Sequence, residues 1–153
     1  MIIAHRGNID GPSEEENSPE HIRLALEMGY DVEIDVWYHN NKWFLGHDEP
    51  TYEVKSSFVS SLLNPYATKI WIHAKNIEAV EKLSETGMHW FWHDKDEMTL
   101  TSQCFVWCYS GVYVKDGITV ELGEPKMIPE SVLGICTDYA KLWKEHCSKE
   151  TMQ

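Results

Sequence analysis

The sequence predicts an α/β fold, a parallel-stranded barrel of the TIM (β/α)8 type in truncated form, with several outer helices missing or replaced by short loops. Eight short runs rich in Val, Ile, Trp and Phe punctuate the chain, at residues 2–5, 32–37, 43–46, 70–74, 89–92, 104–109, 118–122 and 133–136, each bounded by polar or turn residues. Run after run closes on an ionisable residue, as in IIAHR, FLGHD, IWIHAK, WFWHD and GICTD. In a barrel of parallel strands the C-terminal strand ends meet on one rim, so side chains distant in sequence share a pocket there. Alternation agrees. Glu33 and Asp35, like His73 and Lys75, stand two apart and face the same side of their strands, a poor choice for an apolar core.

Local signals justify the elements in turn. Between the second and third runs, Asn40 and Asn41 favour a tight turn. A helix is predicted over 18–28, where Ser18 caps, Pro19 suits the first helical position and Gly29 follows the end. A second is predicted over 76–86, with Asn76 as cap, Ala79, Val80 and Leu83 as the apolar stripe and Gly87 as the stop. Weaker helical patterns cover 58–63 and 139–146. From residue 89 onward the stretches between runs are too short for the crossover helices that parallel strands need. Together with a length of 153 residues, against about 200 or more for such barrels, this is why the predicted barrel is truncated. A flank without helices, rich in Trp and Phe, favours a homodimer.

Residues 1–153 read as a single domain. Hydrophobic residues make up 42%, with seven Trp and seven Tyr, enough to bury a core. Neither a basic leader nor a run long enough to span a membrane is expected. The cysteines, at 104, 108, 136 and 147, show no C-x-x-C pair or zinc-ligand spacing and read as reduced thiols of a cytoplasmic protein. A formal net charge of −12 argues against nucleic acid and anionic lipid surfaces as partners. A phosphate ester would then have to meet a local cationic centre made by Arg, Lys and a bound divalent metal.

Several motifs, in order, bear on that chemistry: His5-Arg6-Gly7, Glu16-Asn17-Ser18, Ala25-Leu26 before Gly29, Glu33-Ile34-Asp35-Val36 and His47-Asp48. In kind and spacing the series resembles the glycerophosphodiester phosphodiesterases, part of a wider group of barrel phosphodiesterases that includes the spider sphingomyelinase D toxins. The resemblance is strong over residues 2–49. It continues through Ile72-His73-Ala74-Lys75, similar to that family's Glu-x-Lys strand, and Gly134-Ile135-Cys136-Thr137-Asp138, similar to its closing Thr-Asp strand. It implies a small phosphodiester substrate, with His5 and His47 as the acid–base pair, Glu33 and Asp35 as ligands of one divalent metal, and Arg6 and Lys75 as phosphate binders. It also implies attack by a neighbouring substrate hydroxyl to give a cyclic phosphate that water then opens.

The residue types suit this chemistry on their own terms. Hard carboxylate oxygens two apart on a strand suit Mg2+ or Ca2+, and imidazole titrates near neutrality. His73 stands where the family's third acidic metal ligand is expected, and as a softer donor admits Mn2+. Other roles stay open. Lys75 at a strand end serves phosphate or simply reaches solvent, and Trp107 and Tyr109 stack on substrate or belong to the core. His93, Asp94 and Asp96 line the rim or begin a loop. Asp48 and Asp138 orient His47 or cap turns, and Glu16-Asn17 belongs to the rim or to the cap of the first helix. Two other functions fit the same residues: a non-catalytic module that binds a phosphorylated ligand, and a lyase that stops at the cyclic phosphate.

Overall fold

A computed structural model describes residues 1–58 and 66–150; the weak helical pattern over 58–63 lies almost wholly outside the described residues. The strands are β1 (Ile2–His5), β2 (Asp31–His39), β3 (Lys42–Leu45), β4 (Tyr52–Val54), β5 (Ile70–Ala74), β6 (Trp90–Phe91), β7 (Met98–Leu100), β8 (Val106–Cys108), β9 (Ile118–Val120) and β10 (Gly134–Thr137). All ten join one mixed sheet. Its parallel part runs β6-β5-β2-β1-β10-β9-β8. Hairpin partners β3 and β4 extend it from β2, and β7 pairs antiparallel with β8.

The helices are α1 (Pro19–Glu27), α2 (Ile77–Ser84) and α3 (Ala140–Glu150), and α1 and α2 start where their caps direct. Ser18 Oγ accepts from the backbone N–H of His21 at 3.2 Å, and Asn76 Oδ1 accepts from Ala79 N–H at 3.2 Å. Their buried stripes, Ile22, Ala25 and Leu26 on α1 and Ala79 and Leu83 on α2, pack on β2 and its neighbours, while α3 packs on β1 and β10. No helix among the described residues is long and apolar enough to cross a membrane.

The fold is therefore not the truncated (β/α)8 barrel that the strand-end pattern predicts. It is a ten-stranded mixed sheet curled into a half-barrel, with few helices and no strict alternation of strand and helix. Two physical reasons account for the difference. Asn40 and Asn41 both take positive φ, 50° and 60°, and so close a two-residue hairpin that sends β3 back antiparallel to β2. Between β8 and β10, side-chain ties replace crossover helices. The buried Glu121 carboxylate accepts from Tyr113 Oη at 2.7 Å and pairs with Lys126 Nζ at 2.8 Å, while Thr119 Oγ1 donates to the Val112 carbonyl at 3.0 Å.

Period-two alternation divides the apolar residues into two cores. Val32, Ile34, Val36, Ile70, Ile72 and Ala74 face the helices on the convex side. Ile3, Trp71, Phe91, Trp107, Ile118 and Cys136 fill the concave side. Across the seam between β6 and β8, Phe91 stacks on Trp107 with ring centroids 4.4 Å apart, and Ser102 N–H donates to the Trp90 carbonyl at 2.7 Å. The concave core forms the floor of the site described next.

Candidate active site and metal centre

Register brings the acidic pair and a histidine together. On the concave face of β2, Glu33 and Asp35 are 2% and 0% exposed, and the parallel pairing of β2 with β5 sets His73 opposite Asp35. Ligand atoms of Glu33, Asp35 and His73 lie within 4.8 Å of one another. His73 Nε2 lies 2.9 Å from the carbonyl oxygen of His93, which can only accept, so Nε2 carries the proton. In the neutral ring Nδ1 then presents a lone pair 3.1 Å from Asp35 Oδ1 and 3.8 Å from Glu33 Oε1. Three electron-rich atoms converge with no proton between them, and Asp35 Oδ1 is buried without a hydrogen-bond partner among the described residues. Two carboxylates and an imidazole held by an outer carbonyl make a donor set that fits one divalent cation.

Other groups surround this trio. Asn17, at φ 60°, donates from Nδ2 to Asp35 Oδ2 and accepts at Oδ1 from Asp35 N–H, both at 2.9 Å. Arg6 Nε lies 3.1 Å from Asp35 Oδ2 and Lys75 Nζ 3.6 Å from Asp35 Oδ1, while Arg6 Nη1 donates to Glu16 at 2.9 Å. Burial raises the Glu33 pKa, and the neighbouring Asp35 charge adds to the rise. Burial opposes ionisation of Asp35, and the neighbouring cations Lys75 and Arg6 favour it.

Each predicted catalytic histidine is bonded through Nδ1 to a carboxylate. At the end of β1, His5 Nδ1 donates to Asp138 Oδ1 at 2.7 Å, leaving Nε2 facing the cleft 4.0 Å from Glu33. Asn8 Nδ2 holds the same Asp138 oxygen at 2.8 Å. His47 Nδ1 lies 2.7 Å from Asp48 Oδ1. His47 reaches the rim by a route the sequence does not show: β2 and β3 form a hairpin above the rim, and β3 descends until Gly46 N–H donates to the Asp35 carbonyl at 3.2 Å. The two imidazoles are tuned in opposite directions. For His5, burial disfavours the charged form, but the Asp138 hydrogen bond and the Glu33 charge prevail and its pKa is raised. For His47, burial together with Arg6 and Lys75 outweighs the attraction of Asp35, and its pKa is lowered.

These groups open into a cleft of about 260 Å3 lined by His5, Arg6, Glu33, His47, His73 and, opposite them, Trp107. Asp35 and Lys75 join this group through the ion pair above. Trp107 is 3% exposed with Phe91 stacked against it, so it walls the cleft as part of the concave core. Asp138 orients His5, and Glu16 and Asn17 belong to the site itself. His93 contributes its backbone carbonyl, for which the sequence carries no signal. Compared with family models, curated proteins and solved structures, the chain matches none.

Proposed function

We propose that the protein is a metal-dependent phosphodiester hydrolase acting on a small glycerophosphodiester-like substrate by two-histidine acid–base catalysis. The observation that carries the reading is the convergence of the Glu33–Asp35–His73 trio with two Asp-paired histidines in one cleft. Glu33, Asp35 and His73 would hold Mg2+, Ca2+ or Mn2+, which supplies Lewis-acid polarisation of the phosphoryl group when bound. Arg6 and Lys75 bind the phosphoryl oxygens. His47, whose pKa is lowered, accepts the proton of the attacking water or neighbouring substrate hydroxyl. His5, whose pKa is raised, donates from Nε2 to the leaving oxygen while Asp138 holds its Nδ1–H. Attack by a substrate hydroxyl gives a cyclic phosphate, which water opens in a second turn of the same pair.

The test uses bis(p-nitrophenyl) phosphate and glycerophosphodiesters with each metal. His5→Ala should lose about 100- to 10,000-fold in turnover on glycerol esters and recover part of it on p-nitrophenyl esters, whose leaving group needs little protonation. His47→Ala should stay inactive on both. Absence of turnover by the wild-type protein with every metal and ester would end the hydrolase reading. Because an imidazole stands among the metal ligands, a module that binds the phosphorylated ligand without cleaving it is the second reading. Phosphate binding without turnover would establish it.

The reading also includes a cytoplasmic setting, supported by the buried thiols of Cys108 and Cys136, and a homodimer. Exposed Met98 and Leu100 on the sheet-edge strand β7 support the dimer. Light scattering should give twice the monomer mass, and a strict monomer at high concentration would remove this part of the reading.

A further inference from the structure

The concave face is chemically divided. On β1, β2 and β5 and just past the end of β5, the alternating positions present His5, Glu33, Asp35, His73 and Lys75; on β8 and β9 and just past their ends, the same alternation presents Trp107 and Tyr109, then Val120 and Leu122. Trp107 is closed off by Phe91, but Tyr109 and Leu122 stand 60% and 41% exposed on the wall of the cleft that holds the charged groups. The fold gains little burial from these two side chains where they stand, and they line the same cleft as Arg6.

We infer, resting on the phosphodiesterase reading, that one ester group of the substrate is apolar, an aryl or short alkyl alcohol. Tyr109 and Leu122 bind that group while Arg6 and Lys75 hold the phosphoryl oxygens. A cleft of about 260 Å3 lies just below the usual range of small-ligand sites and accommodates a ring or a short chain beside the phosphoryl group, not paired acyl chains. The net charge of −12 repels an anionic bilayer, so the ester arrives as a dispersed molecule.

Phosphinates carry the single negative charge of a phosphodiester on P–C bonds that cannot be hydrolysed, which makes them binding probes. Calorimetry on the Mn2+-loaded protein would compare dimethyl-, methyl(butyl)- and methyl(phenyl)phosphinate. Either apolar probe should bind at least about tenfold tighter than dimethylphosphinate, since burying a ring or a few methylenes accounts for that factor. The order of phenyl and butyl then names the alcohol as aryl or alkyl. Tyr109→Ala with Leu122→Ala should bring the ratio close to one. If all three probes bind equally, the apolar-alcohol proposal is overturned and the hydrolase reading stands. If none binds with Mg2+, Ca2+ or Mn2+, both fall.

Discussion

Asp138 decides which nitrogen of His5 faces the cleft. Its carboxylate can only accept, so the proton sits on Nδ1 and Nε2 is left for transfer. An Asn there offers a donor as well and admits the other tautomer. Asp138→Asn should therefore lower turnover by about 100- to 10,000-fold, a loss known for this exchange in histidine–aspartate pairs. The pH profile should move too. Burial pulls the His5 pKa down while Asp138 and Glu33 push it up, so removing the Asp138 charge lets burial prevail. On the proposed chemistry His5 acts protonated, so the alkaline limb of kcat/KM should shift to lower pH; an unmoved limb would show that Asp138 only packs. At the proposed metal site, His73→Gln should weaken Mn2+ binding at least about tenfold in calorimetry and narrow its lead over Mg2+, because an amide oxygen is a harder and weaker donor than imidazole.

At the scale of elements, the turn after β3 is where His47 is set. Gly46 takes φ +143°, and a Cβ there would lie 2.2 Å from the Glu49 carbonyl oxygen. Gly46→Ala should cost about 2–4 kcal/mol in urea denaturation and displace His47, lowering turnover as well. The elements legible in the sequence were those with local chemistry or a clear apolar run: the capped helices α1 and α2, the Asn40–Asn41 turn, the helical pattern over 139–146 that became α3, and β1, β2, β3, β5, β6, β8, β9 and β10, each coinciding with or overlapping one of the eight runs. Strands β4 and β7 were not, since three residues such as Tyr52-Glu53-Val54 or Met98-Thr99-Leu100 carry too little apolar periodicity. The direction of β3 was missed because a run ending in His47 looks the same whether it rises to the rim or descends to it. In the site, Glu33 with Asp35 and His73 with Lys75 were legible from spacing alone. The His5–Asp138 bond was not, because it depends on β1 lying beside β10, a pairing no local pattern encodes.

At the scale of the whole molecule, acid should loosen the fold through His89. This residue is 5% exposed, its Nε2 lies 2.7 Å from Thr101 Oγ1, and burial pushes its pKa down to about 4. The unfolded chain takes up a proton below about pH 6.5, while the folded one resists until about 4, so stability is full above 6.5 and declines through that window as pH falls. The stability lost between pH 7 and pH 4.5 should be about 2 kcal/mol larger for wild type than for His89→Gln in denaturation; parallel behaviour would show His89 to be indifferent. The pairing of β1 with β10 has a different bearing. Met1 N donates to the Leu133 carbonyl at 3.0 Å, and His5 and Asp138 meet across 133 positions. Contacts so far apart in sequence close late and slowly. A nascent polypeptide holds every proposed metal ligand once residue 73 has left the ribosome, yet His5 has no orienting partner until residue 138 emerges. On the proposed chemistry, turnover in cell-free synthesis begins only with chains that have passed that point.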